Sequence, residues 1–288
     1  MRRILFIYDV LKRAIWGFAA NDGAAIAGYM AYTALLSLFP FLIFTAELLG
    51  AVFGEEGVAP TMDFLFTVLP WHVAQTLEPA VKEVLDARPP DLLSVYAIIA
   101  IWIASNAFEA LRAALDRAYG LVGERHFVVG RLVSIAFTMG GVAAFVVISL
   151  FVIVAPTARA LAPDIPFVSI PLGMVSHWVL LGIGTTVMLI FLFVLHYILP
   201  AHRPKGPLVP GVLITAALWI ALASLFSIYF QYVPSYSVTY GTLAGVIVCL
   251  LFFYISGAIF IFGAEINAAL DPTIRKTTDD EKKSPPLI

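Results

Sequence analysis

The chain has 288 residues, of which 61% are hydrophobic and only 12% charged, with a net charge of −2. A soluble domain carries about 25% charged residues, so this chain has too little polar surface to face water all round, and a soluble globular fold is excluded. The near-zero net charge also excludes a globally basic nucleic-acid binder, and no polar block is long enough to form a second domain.

In chain order, residues 1–20 carry Arg2 and Arg3 but are interrupted by Asp9, Lys12 and Arg13, so they do not read as a signal peptide. Asp9, Lys12 and Arg13 fall on one helical face; Leu5, Tyr8, Leu11, Ile15 and Trp16 fall mostly on the other. Two placements suit that pattern: a helix lying flat at the inner membrane surface, or an amphipathic helix packed on the bundle. Asn21, Asp22 and Gly23 supply a break and a helix cap. Residues 24–53 then run with a single charge, Glu47, which makes them the first span, since a bilayer core takes about 20 apolar residues. Pro40 in its middle removes one backbone hydrogen bond and predicts a kink.

Residues 54–91 form an acidic polar loop, with Val73, Leu77, Val81 and Val84 at helical spacing. The second span covers 92–108 and is expected to continue as a cytoplasmic helix through EALRAALDRAYG, ending at Gly120. The third covers 132–155, stopped by Pro156, and the fourth 170–199, stopped by Pro200. The fifth covers 208–230 and the sixth 242–264. Residues 272–288 read as a disordered tail. The single cysteine, Cys249, lies in an apolar run and reads as a small buried residue.

The basic residues orient these spans. Arg2, Arg3, Lys12 and Arg13 precede the first span. Arg112, Arg117, Arg125 and Arg131 lie between the second and third, Arg203 and Lys205 between the fourth and fifth, and Arg275, Lys276, Lys282 and Lys283 in the tail. All of these fall on one side of a six-span arrangement, leaving Lys82, Arg88 and Arg159 on the other. Cationic segments are retained in the cytoplasm. The fold expected is therefore all-α: a polytopic bundle of six transmembrane helices with both termini cytoplasmic.

Polar groups inside apolar spans are costly and mark candidate sites. Glu47 reads either as the lining of an outward-facing cavity or as an interfacial carboxylate. Glu265 and Asn267 close the last span, where either an ion pair with an arginine of the segment between spans two and three or a helix-end hydrogen bond is expected. Ser105 and Asn106 precede Glu109, Arg112 and Asp116, whose spacings of three and four permit pairing along one helix; the alternative is a solvated cytoplasmic helix. His177 and His196 sit near opposite ends of the fourth span and read as interface histidines. Gly241 with Gly245, and Gly182 with Gly184, offer small-residue packing positions. Tyr229, Tyr232, Tyr236 and Tyr240 suit an aromatic belt. No phosphate-binding loop, zinc-protease helix or nucleophile elbow appears, so no catalytic residue, metal or cofactor is expected, and the chain does not read as an enzyme.

Three blocks carry a family resemblance: AAIAGYMAYTALLSLFPFLIF in the first span, SNAFEALRAALDRAYG after the second, and TYGTLAGVIVCLLFFYISGAIFIFGAEINA in the last. In this order they resemble the YihY/BrkB family, over most of residues 10–271. The resemblance implies a six-span bacterial inner-membrane protein of unsettled activity, for which the older "ribonuclease BN-like" label is regarded as a misassignment. Gly28 before Tyr29, and the charge of Glu47, depart from the family's pattern. The reading places the chain in the lipid bilayer as a transporter or exporter of a small molecule or lipid. An envelope scaffold using residues 54–91 is the alternative and a membrane-bound ribonuclease a remote one; no nucleic-acid partner is expected.

Overall fold

The computed structural model describes residues 2–53, 78–79, 82–83, 95–121, 126–161, 177–232 and 242–272, and every regular element among them is an α-helix. In chain order these are α1 (Arg2–Ala20), α2 (Gly23–Phe53), α3 (Val95–Ala104), α4 (Asn106–Ala118), α5 (Phe127–Leu161), α6 (His177–Ile198), α7 (Val209–Tyr232) and α8 (Thr242–Leu270). Five stretches are long and apolar enough to cross a membrane: Gly23–Gly50, Ala97–Ala118, Phe127–Ala144, Val209–Tyr229 and Gly245–Leu270. A shorter apolar stretch, Gly184–Ile198, lies in α6.

Large apolar side chains point outward from these helices, among them Ile98, Leu132, Ile190, Leu225 and Ile247. The interior is instead rich in alanine, with Ala27, Ala110, Ala114, Ala264 and Ala268 packed around Leu192, Leu195 and Phe260. That distribution suits a lipid solvent, in which helices associate by close packing of small residues rather than by hiding apolar ones.

α2 and α8 form the central pair. α8 also packs on α7 and α1, and α2 on α3, α4 and α5. Glycines set the approach: a Cβ at Gly257 would lie 3.4 Å from the Met30 Cβ, and one at Gly211 or Gly263 would overlap the facing helix, at the Gly263 carbonyl or the Thr215 hydroxyl. Gly182 and Gly184, which the sequence offered as packing positions, face open space.

Contacts gather the start of α2, the end of α4, the end of α6, the start of α7 and the end of α8 at one end of the bundle. Asn21 hydrogen-bonds Glu265, Arg117 pairs with Asp22, Asp116 accepts from the Ala201 N–H, and Asn267 accepts from the Gly211 N–H. Arg131 of α5 reaches instead to Asn106, at the start of α4.

Several boundaries differ from the sequence expectation. α5 starts before residue 132 and continues past Ala155 through Pro156. α2 runs as one helix through Pro40, matching the extent expected of the first span. A proline costs one ladder bond, which an apolar helix within a bundle absorbs. α8 extends to Leu270 rather than stopping at residue 264. The helix expected to continue after residue 92 does so through Ala97–Ala118, with a one-residue irregularity at Ser105, which keeps a right-handed helical φ of −70° and bonds to Ile101 and Glu109. There the Trp102 carbonyl, whose helical partner would be the Asn106 N–H, receives the Ser105 hydroxyl at 2.8 Å and the Arg131 guanidinium. The Ile103 carbonyl receives Ser37 Oγ at 2.9 Å.

The far end of α4 closes as the sequence predicts. Gly120 adopts a left-handed φ of 69°, and the Gly120 and Leu121 N–H groups return to the Arg117 and Asp116 carbonyls in a Schellman motif. Within 54–94, residues 78–79 and 82–83 are helical, with Lys82 paired to Glu78 at 2.6 Å. The rest of that loop, the tyrosine-rich 233–241 and the tail after 272 lie outside the described residues.

Overpacking a tight core costs about 1–3 kcal/mol. Gly263→Val should therefore lower the stability measured by detergent denaturation by about that much, while Gly182→Val should leave it unchanged. Equal effects at both positions would contradict the glycine contact.

Candidate functional site

The polar residues flagged in the sequence lie in two neighbouring clusters. α4 is amphipathic, and its residues 109, 112 and 116 recur once per turn on a single face. Arg112 sits between two carboxylates: it contacts Glu109 through two nitrogens and donates to Asp116 Oδ2 at 2.7 Å. Gly130 of α5 makes room for it, since a Cβ there would lie 3.1 Å from the Arg112 Cζ. Glu109 also accepts from Ser134 Oγ at 2.8 Å, and Asp116 Oδ1 accepts from the Ala201 N–H at 2.6 Å. Only 15% of the Arg112 side chain, 18% of Glu109 and 8% of Asp116 is exposed. This face is packed rather than solvated, and all three residues fall inside the apolar stretch Ala97–Ala118.

Arg131, one turn into α5, completes the cluster. Its guanidinium donates to Asn106 Oδ1 at 2.8 Å and to the Trp102 carbonyl, and lies 3.9 Å from the Trp102 ring centre. Two carboxylates and two guanidinium groups thus balance. Arg131, Ser134 and Trp102 were not singled out by the sequence reading. Arg131 entered it only as a positive charge, because nothing in one sequence pairs a residue with another helix.

The second cluster lies where α1, α2, α7 and α8 meet. Glu265 is buried and accepts from Asn21 Nδ2 at 2.7 Å, which is the helix-end hydrogen bond rather than the arginine pair of the two expected. Gly17 is seated directly on the same carboxylate, so that a side chain there would collide with it. Arg117 turns instead to Asp22, at 2.7 Å; Asp22 holds a left-handed φ of 53° in the turn between α1 and α2. Asn267 is 1% exposed and spends its carbonyl on the Gly211 N–H at 2.7 Å, satisfying a donor that the first turn of α7 leaves open. Its amide donates to Tyr119 Oη at 3.5 Å. Burial pushes the Tyr119 phenol above its ordinary range, so it stays protonated.

The remaining candidates separate from these clusters. Ser105 is fully buried at the α3–α4 junction. Glu47 belongs to α2, but its side chain and that of His177 lie outside the described residues. His196 is not an interface histidine: it is completely buried, with its ring 4.8 Å from that of Phe260. Its Nδ1 must donate to the Leu192 carbonyl at 2.8 Å, which leaves Nε2 as a bare acceptor. Among the described residues, His196 Nε2, Thr215 Oγ1 and Arg131 Nε are buried side-chain atoms without a hydrogen-bond partner, and no three His, Cys, Asp or Glu side chains gather as metal ligands.

Charge held by cross-helix hydrogen bonds within otherwise apolar helices defines a polytopic α-helical membrane protein. The chain belongs to the family described as virulence factor BrkB, whose model matches residues 14–287. It is 32% identical to the ribonuclease-like protein YfkH of Bacillus subtilis, over 94% of this chain and 98% of that protein. It is 25% identical to a UPF0761 membrane protein of Pseudoalteromonas translucida, over 85% and 80% of the two chains. A UPF0761 membrane protein of Coxiella burnetii is 24% identical, over 91% and 95%. No solved structure matches.

A hydrogen bond to a charged group contributes about 1.5–3 kcal/mol. In a double-mutant cycle, Asn21→Ala and Glu265→Ala should therefore couple by about 1 kcal/mol or more. Strictly additive losses of stability would mean that the contact contributes nothing.

Proposed function

We propose that this chain is a bacterial inner-membrane protein that crosses the bilayer six times, with both termini cytoplasmic, and that it moves a small molecule or lipid. The observation that carries the reading is the Glu109–Arg112–Asp116–Arg131 cluster. A buried ion pair roughly breaks even against apolar packing, so stability alone gives little reason to keep four ionised groups among apolar helices. Ionisable groups in such positions line pathways or bind polar solutes. Arg112 is shared between two carboxylates, and Glu109 between Arg112 and Ser134. Partners can therefore exchange without any change in net charge, as alternating states of a pathway require.

Support for six crossings comes from the meeting of alternate helix ends at one end of the bundle, together with the sorting of basic residues to that same end. A cysteine placed at Thr61 in a Cys249→Ala background should react with an impermeant maleimide added to intact cells. One placed in the tail should react only after lysis. The reverse pattern would end the topological reading.

For transport, purified protein in liposomes should release or scramble a member of a panel of fluorescent lipids and small metabolites. Arg112→Gln should slow that flux several-fold without loss of the folded protein. An inert panel, with a silent Arg112→Gln variant in cells, would remove the ground for the proposal.

A ribonuclease reading rests on names alone, the older family label and that of the Bacillus subtilis relative. RNA cleavage by the purified protein with magnesium, manganese or zinc would revive it.

A further inference from the structure

α1 has three faces, and the bundle uses only one of them. Val10, Ala14 and Gly17 are turned toward α8: Val10 and Ala14 pack with Ile266, flanked by Ile214, Phe262, Ala269 and Leu270, while Gly17 sits on Glu265. These contacts belong to the last turns of α8 and the first turns of α7, so α1 lies at the end of the bundle rather than along it. The second face is charged, with Lys12 beside the Asp9–Arg13 pair, joined at 3.1 Å. The third is a line of large apolar side chains at i, i+3 and i+7: Tyr8 is 65% exposed, Leu11 39% and Ile15 61%.

We infer that α1 is a foot resting on the anionic surface of the bilayer, with Tyr8, Leu11 and Ile15 dipped into the acyl boundary and its cations over the phosphates. Three observations favour lipid as the occupant. The Tyr8–Leu11–Ile15 line belongs to a helix packed on α8 and α2, both of which carry outward apolar side chains of their own, Ile247 and Leu251 on α8 and Tyr29, Tyr32 and Leu36 on α2. The charges beside it are Lys12 and Arg13 against one carboxylate, Asp9, and the sequence adds Arg2 and Arg3 ahead of them, an excess that complements anionic headgroups. Rotation about the helix axis is also fixed, because Gly17 is seated on Glu265 and the following Asn21 is hydrogen-bonded to the same carboxylate. The apolar line is thus held to one side, between the bundle seam and the charged face, as an interfacial helix requires. The inference rests on the cytoplasmic placement of residues 1–22 proposed above, and the maleimide assay detects a failure of that placement separately.

The test uses the full chain carrying Cys249→Ala, with a nitroxide on a single cysteine at position 9, 11, 12, 14 or 15. Each variant is reconstituted into vesicles of phosphatidylcholine and phosphatidylglycerol. Collision with oxygen should dominate at 11 and 15, collision with a water-soluble nickel chelate at 9 and 12, and position 14 should be shielded from both. Replacing Arg2, Arg3 and Lys12 by Gln, or omitting phosphatidylglycerol, should raise nickel collision at 11 and 15. The inference falls if 11 and 15 meet nickel as readily as 9 and 12, which would put them in water. It also falls if they are shielded like 14, which would make the covering surface a second copy of the chain. No response to charge removal would overturn the anionic part.

Discussion

Hydrocarbon offers no hydrogen bonds, and that constraint arranges most of this structure. A polar group drawn into an apolar bundle must find its partner on another helix or be left unsatisfied, at a cost of several kcal/mol. Here most partners are supplied at one end, where the turn between α1 and α2, the end of α4, the segment after α6, the start of α7 and the end of α8 exchange side-chain and backbone hydrogen bonds. The same bonds that satisfy the charges fix which helices are neighbours. Remove Asn267, for example, and both a helix N-terminus and the α4 cap at Tyr119 lose a partner.

Close packing does the rest, and it works through absence of side chain. Gly257 admits α2 to α8, and Gly211 and Gly263 bring α7 and α8 together until backbone and the Thr215 hydroxyl touch. In lipid, where large apolar residues gain nothing by turning inward, this contact surface is what distinguishes one helix arrangement from another.

What could be read in the sequence follows from what local pattern encodes. Long apolar runs gave the helices, because length against bilayer thickness is a one-dimensional property, and the Gly120 cap was legible because a Schellman turn is local. The Glu109–Arg112–Asp116 pairs were visible because spacings of three and four share a helix face. The cross-helix partners were not. Asn21 with Glu265 and Arg131 with Asn106 join residues that no periodicity relates. Pro156 misled because a proline removes only one ladder bond, and the α5 backbone runs on through it to Leu161. His196 misled because a polar residue near a span end reads as interfacial, whereas its ring is enclosed by Phe260 and the core leucines. The glycine positions were ambiguous for the same reason: small residues recur in any apolar run, and only the facing helix decides which of them are used.

The irregularity at Ser105 has a mechanical consequence. Ala97–Ala118 is one crossing of 22 residues, so at about 1.5 Å per residue it is a rod of roughly 33 Å, about the thickness of a bilayer core. Near its middle the Trp102 carbonyl turns part of its bonding sideways, to the Ser105 hydroxyl and the Arg131 guanidinium. The crossing is thus cross-braced to α5 at mid-length, and a displacement of either helix loads the other.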